Sequence, residues 1–192
     1  MLKKIFGEDL EIYVDEDFLF EEELLYLDSE IDRANKNNLW SGEAGSTSDT
    51  GTWTNRNFRL EKNNQILQNI ETRILEEYSL NIEKIPQELV HKVFKGLGPI
   101  NRTSVGQGLP VHDDLGPPEL NLPVAYGIVL YLNDDFSGGE LFYEKLGLKI
   151  KPKRGMLVIH SALPKYAHGV TEVLAGTRYG ITLFVDSVNQ NF

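Results

Sequence analysis

Between residues 99 and 186 the chain breaks into short apolar runs, at 99–105, 109–113, 124–132, 140–144, 147–151, 156–160, 168–173 and 178–186. Glycine, proline and the pair Asn133-Asp134 punctuate them. Short runs at this spacing, rich in branched and aromatic residues, each bury one face of a pleated strand, so the segment has to close into a sandwich or barrel. Upstream the periodicity is helical. Ile66, Ile70, Ile74 and Tyr78 recur every fourth residue with Leu67 and Leu75 beside them, which predicts an amphipathic helix over 64–78. Phe20, Leu24, Leu27 and Ile31 predict another, capped by Asp15 or Asp17 and running to about Arg33. Pro86 suits the first position of a short third helix with Leu89, Val90, Val93 and Phe94 on one face; His91 within it reads as a packing or surface residue. Residues 10–14 alternate and suit a short strand. Helices that precede the strands, instead of alternating with them, argue against a doubly wound parallel sheet. The expected fold class is mainly β with flanking α, a jelly roll with the N-terminal helices packed on one side.

The 192 residues fit one domain, with 1–98 as mixed support, 99–186 as the core and 187–192 as a tail. Residues 34–57 are polar but hold Trp40 and Trp53, and 51–55 has strand-like character; this reads as a loop with a short strand at the rim of a site, both Trp being structural. There is no cysteine, which excludes disulfides, thiolate metal sites and cysteine nucleophiles. Any metal chemistry must therefore use His and carboxylates. A net charge of −10 weighs against nucleic acid and against an anionic membrane surface as partners. Met1-Leu2-Lys3-Lys4 starts as a signal peptide does, but Glu8, Asp9 and the acidic run 15–17 interrupt it, and no stretch approaches a membrane span. A soluble, cytoplasmic protein is expected.

Against this background His112, Asp114 and His168 stand out. On an extended strand residues i and i+2 share a face, so His112 and Asp114 are expected to point into the barrel together while Asp113 points away. Two His and one carboxylate with open positions make the facial triad of non-haem Fe(II) oxygenases. His160 competes with His168 as the distal ligand, but only His168 has a basic residue ten positions on, Arg178. By the same parity Arg178, Gly180 and Thr182 share a face. An inward Arg is costly unless an anion meets it, and a guanidinium matches a carboxylate in bidentate geometry. A dicarboxylate could chelate iron at one end and bind Arg178, with Thr182 adding a hydroxyl, at the other.

Several short segments then coincide with one family. Arg102 to Gly106 with Pro110, His112 and Asp114, then Tyr131-Leu132-Asn133-Asp134 with Gly138-Gly139-Glu140-Leu141, and finally His168-Gly169-Val170 with Gly176-Thr177-Arg178-Tyr179, resemble the Fe(II)- and 2-oxoglutarate-dependent dioxygenases, most closely the prolyl hydroxylase group. The resemblance implies a double-stranded β-helix (cupin-like), iron bound by His112, Asp114 and His168, and the distal carboxylate of 2-oxoglutarate bound by Arg178 and the Tyr131 hydroxyl. Where many members carry Tyr just after the position of Arg102, this chain has Thr103, which gives Tyr131 more weight.

The activity implied is hydroxylation of an unactivated C–H bond, first of all on a peptidyl proline, with dioxygen consumed, succinate and carbon dioxide as co-products and ascorbate as reductant. The alternatives are another amino-acid residue or a small molecule under the same chemistry, or a metal- or sugar-binding jelly roll with no oxygenase activity. Residues 115–123, rich in proline after the iron-binding pair, are a candidate substrate lid.

Overall fold

The structure, a computed structural model, describes residues 3–4, 11–44, 55–61, 63–81, 96–115 and 124–186. Its strands are β1 (Lys3–Lys4), β2 (Ile12–Asp15), β3 (Ser41–Ala44), β4 (Asn55–Phe58), β5 (Ile100–Thr103), β6 (Leu109–His112), β7 (Val124–Tyr131), β8 (Ser137–Gly138), β9 (Leu141–Tyr143), β10 (Leu148–Ile150), β11 (Leu157–Ser161), β12 (His168–Val170), β13 (Val173–Ala175) and β14 (Arg178–Asp186). Two helices, α1 (Glu21–Lys36) and α2 (Gln65–Asn81), precede most of them. Each run expected as a strand between 99 and 186 is one, its ends displaced by at most two residues, except the run at 168–173. That run divides into β12 and β13, because after Thr171 the chain leaves β9 and pairs with β8. The predicted third helix, Trp53 and His91, residues 116–123 of the candidate lid and the 187–192 tail lie outside the described residues.

An antiparallel eight-stranded sheet runs in the order β1-β2-β11-β7-β14-β5-β4-β3, and a four-stranded sheet, β10-β9-β12-β6, faces it. Alternation along the large sheet makes two cores. Ile128 and Leu130 of β7, Leu157 and Ile159 of β11, and Ile181 and Leu183 of β14 pack against α1 and α2. The residues between them, such as Val129, Tyr131 and Val158, face Leu141, Tyr143 and Ile150 of the small sheet. Period-two patterning thus gives a jelly roll with helices on one side and a space between the sheets.

The helix stripes need one correction. Leu24, Leu27, Ile31 and Ala34 of α1 are buried, but Phe20 is 53% exposed. The helix starts at Glu21, not near Asp15 or Asp17, because the Phe20 N–H donates to Glu23 Oε2 at 2.9 Å while the Glu23 N–H donates to the Phe20 carbonyl at 3.1 Å. Glu23 is itself buried, and Arg73 of α2 donates to both its oxygens at 2.6 Å and to the Phe18 carbonyl at 3.1 Å. The same guanidinium lies 4.1 Å from the Phe20 ring centroid. Arg73→Ala leaves a buried carboxylate without its partner and is expected to destabilise by about 3–5 kcal/mol. Chemical denaturation would show it as a lower midpoint at unchanged slope, and an unchanged midpoint would contradict the pairing.

Trp40 is buried, donates its indole N–H to Asn35 Oδ1 at 2.9 Å and stacks on Tyr179 at 5.8 Å. Among the described residues no helix is long and apolar enough to cross a membrane.

Candidate active site

The space between the sheets is a cavity of about 290 Å³ whose wall includes His112, Asp114, His160, His168, Arg178 and Thr182. Antiparallel pairing of β6 with β12 sets His112 opposite His168, with ring centroids 4.5 Å apart. Strand parity does not explain Asp114, however. β6 stops at His112, and Asp114 sits in the bend beyond it. What turns the carboxylate inward is space at Gly127 of β7, where an added Cβ would collide with Asp114 Oδ2. His112, Asp114 and His168 each offer one ligand atom, and these atoms lie within 4.8 Å of one another; Asp113 is not part of the group.

The imidazoles are oriented for metal. His112 Nδ1 lies 3.0 Å from the Pro110 carbonyl, and His168 Nδ1 lies 3.1 Å from the Tyr166 carbonyl. A carbonyl only accepts, so each Nδ1 carries the proton and each Nε2 presents a lone pair to the cavity. Nε2 of His112 is 3.6 Å from Asp114 Oδ1, and Nε2 of His168 is 3.8 Å from Oδ2. Burial pushes the Asp114 carboxyl up to about 6, against the opposing pull of His112 and with a further push from Asp113. Burial and then the neighbouring His112 pull His168 down to about 4. A buried carboxylate between two lone pairs needs a cation, and this donor set fits Fe(II).

The pH consequence has a definite sign. Metal takes the ionised carboxylate, and protons compete for it below about 6, so metal affinity is expected to fall about tenfold per pH unit below that point and to level off above it. Co(II) titrations from about pH 5 to 8 would check this, and a pH-independent affinity would contradict it.

Arg178 and Tyr131 form the other end. Arg178 is 7% exposed, its Nε has no hydrogen-bond partner, and among the described residues no salt bridge meets it. Its guanidinium carbon lies 5.1 Å from the centroid of the Tyr131 ring, whose buried hydroxyl makes no hydrogen bond of proper geometry and has only a weak contact with that guanidinium. Burial pushes the Tyr131 phenol up, and the Arg178 charge and its weak hydrogen-bonding contact oppose that. Thr182 Oγ1 lies 3.4 Å from Asn101 Nδ2 on the same wall. A buried cation with a spare N–H beside a spare O–H fits a carboxylate.

Two residues escaped the sequence reasoning. His160 was set aside for lack of a matching Arg, yet the structure places it inside the site, 1% exposed. Its ring lies 4.2 Å from that of His168, and burial followed by His168 holds its pKa well below the ordinary histidine value. The parity of Val158 and His160 on β11 was a legible signal. Gly127, in contrast, had none, because its neighbour comes from a bend. Thr103 is buried in the cavity wall, at the position where many members of the resembled family carry Tyr.

A cavity between jelly-roll sheets thus has a His-Asp-His cluster that could hold a metal ion, and a buried Arg in the same wall that could meet an anion. Residues 99–186 match the family model of the 2OG-Fe(II) oxygenase superfamily. Over those residues the chain is similar to that superfamily, and the curated relatives it matches are prolyl hydroxylases. Rat (Rattus norvegicus) prolyl 3-hydroxylase 2 is 36% identical over 91 residues, covering 39% of this chain and 13% of that protein. The chain thus spans only a small part of that relative. A viral collagen prolyl hydroxylase from Paramecium Bursaria Chlorella virus-1, solved as a 2OG complex, superposes with a TM-score of 0.69 at 19% identity over 95% of this chain and 98% of its own. A Trichoplax adhaerens prolyl hydroxylase, solved with a hypoxia inducible factor oxygen degradation domain peptide fragment, gives 0.68 at 14% identity over 95% and 86%. At these identities the likeness establishes the fold, a double-stranded β-helix.

Proposed function

We propose that the protein hydroxylates a prolyl residue of a peptide or protein, with residues 99–186 as the catalytic unit and 1–98 as its support. His112, Asp114 and His168 hold Fe(II); Arg178, Tyr131 and Thr182 hold the far carboxylate of 2-oxoglutarate. The observation that carries this reading is the buried Arg178, which meets no salt bridge among the described residues and whose Nε has no hydrogen-bond partner, in one cavity wall with the His-Asp-His cluster. A metal- or sugar-binding jelly roll has no use for it. Proline is favoured as substrate because the relatives and structural neighbours above are prolyl hydroxylases.

When bound, Fe(II) supplies the activation of dioxygen, four electrons being taken up, two from the 2-oxo acid and two from the C–H bond. One oxygen atom goes to succinate as carbon dioxide leaves, and the other goes to the product alcohol. The chain does the rest. Nδ1–H bonds to Pro110 and Tyr166 keep the two imidazoles facing inward. Arg178 and Tyr131 fix the cosubstrate by its inert end, so its 2-oxo group is directed towards the cluster. The apolar wall from Val129, Leu141 and Val170 limits water. Ascorbate would serve as reductant.

The test is succinate release from 2-oxoglutarate against proline-containing and control peptides, with mass spectrometry for one added oxygen. Turnover stimulated by a proline peptide with hydroxylation on proline is expected. Stimulation by some other substrate class, and by no proline peptide, would sink the prolyl assignment. The lack of a visible charge-transfer band on anaerobic addition of Fe(II) and then 2-oxoglutarate would sink the dioxygenase chemistry itself.

A further inference from the structure

Three imidazoles, not two, surround the Asp114 carboxylate. Nε2 of His160 lies 3.8 Å from Asp114 Oδ2, the same distance as Nε2 of His168. The three are not equivalent. His112 and His168 carry their protons on Nδ1, so their Nε2 atoms meet the carboxylate as lone pairs, repulsive until a cation lies between them. His160 Nδ1 makes no hydrogen bond of proper geometry, its backbone contact being a weak one with the adjacent Ser161, so its proton is not held there as firmly as in the other two rings. With the proton on Nε2, His160 is the imidazole of the three that can donate to the carboxylate.

Among the described residues, the side chain placed to accept that proton is Asp114. His160 sits on β11 opposite Gly127 of β7, and a Cβ on Gly127 would come 3.0 Å from its Cε1 and Nε2 while striking Asp114 Oδ2. Ring, glycine and carboxylate oxygen therefore form one stack, with the edge of the ring aimed at Oδ2. The gap is roughly 0.9 Å beyond a usual N–H···O separation, within reach of a small rotation of Asp114, whose side chain leads out of a bend.

We infer that His160 is a positioning residue for Asp114, its Nε2–H holding Oδ2 so that the carboxylate presents its other oxygen to a metal shared with His112 and His168. A carboxylate without this donor is free to turn or to chelate through both oxygens, and outer partners of ligating groups commonly contribute 10–100-fold in metal affinity. The inference rests on the metal-centre reading above, and the experiment separates the two.

Co(II) is titrated anaerobically into the full chain without cosubstrate, followed by visible absorption, for wild type and for His160→Phe, His160→Gln and His160→Asn. Gln places an amide N–H near the position of Nε2, and Asn places one near Nδ1. Expected are a loss of about 10–100-fold in His160→Phe, the same loss in His160→Asn, and recovery to within about threefold of wild type in His160→Gln. Proton NMR of the Co(II) protein is expected to show two strongly shifted exchangeable imidazole N–H signals, unchanged in His160→Gln. Three such signals in wild type, one of them lost in His160→Gln, would make His160 a ligand and overturn the inference. So would unchanged affinity in His160→Phe, or equal loss in the Gln and Asn variants; if the Phe variant does not fold, the Gln–Asn contrast decides. Wild type binding no Co(II) at all would instead overturn the metal-centre reading.

Discussion

Gly127→Ala is expected to weaken metal binding by about 100-fold or more while leaving the protein folded. The new methyl group would overlap Asp114 Oδ2 and press His160 at 3.0 Å. The backbone has nowhere to retreat, because β7 is pinned on both sides: Gly127 pairs with His160 on β11 and with Phe184 on β14. The part that can move is the carboxylate, since it comes from a bend and not from the sheet. Once displaced, it can no longer share a metal with His112 and His168. Without metal the cost is small, because burial already disfavours the Asp114 charge and turning it outward relieves that, so the metal-free melting temperature is expected to stay within a few degrees of wild type. Co(II) titration and thermal unfolding would be read together. Wild-type affinity in this variant would refute the packing account of how Asp114 is aimed.

Arg178→Met is expected to change affinity and stability in opposite directions. The buried guanidinium has no salt bridge among the described residues, so replacing it with an apolar chain of similar length should leave the ligand-free protein unchanged or more stable by about 1–3 kcal/mol. With cosubstrate the sign reverses. Removing a desolvated, bidentate charge partner costs about 2–5 kcal/mol, so the 2-oxoglutarate affinity should drop by roughly 30- to 1,000-fold or more. Arg178→Lys keeps the charge but loses the planar fork, and should fall between the two. Thermal unfolding with and without 2-oxoglutarate reads both effects. A concentration near 100 times the wild-type Kd should stabilise wild type by about 2.7 kcal/mol and the Met variant hardly at all. Equal stabilisation of both would mean that the anion binds elsewhere.

What the sequence showed follows from where the information lies. Strand alternation is local, so β5, β7, β11 and β14 could be placed to within a few residues, and with them the inward positions of Arg178 and Thr182. The pairing of His112 with His168 depends on strands far apart in the chain, and there the family resemblance, not periodicity, carried the assignment. Strand parity points to Asp114, but the strand ends two residues earlier, and the carboxylate reaches the two imidazoles from a bend instead. Phe20 was counted in the helix stripe because the capping carboxylate comes from within the helix, at Glu23, and not from an acidic residue ahead of it. His160 was dropped because spacing to Arg178 was allowed to outweigh parity. Gly127 was invisible, since the meaning of an absent side chain lies in what the fold brings against it.

The alternation along β14 has a consequence for how such a protein can change over time. Ile181, Leu183 and Val185 hold the strand to the helix-packed core, while Arg178, Thr182 and Phe184 border the cavity. Substitutions at one set are answered in abundance, and those at the other in what is bound. A lineage can therefore exchange one ligand for another along this strand without spending the stability that keeps it folded, because selection acts on the two sets almost independently.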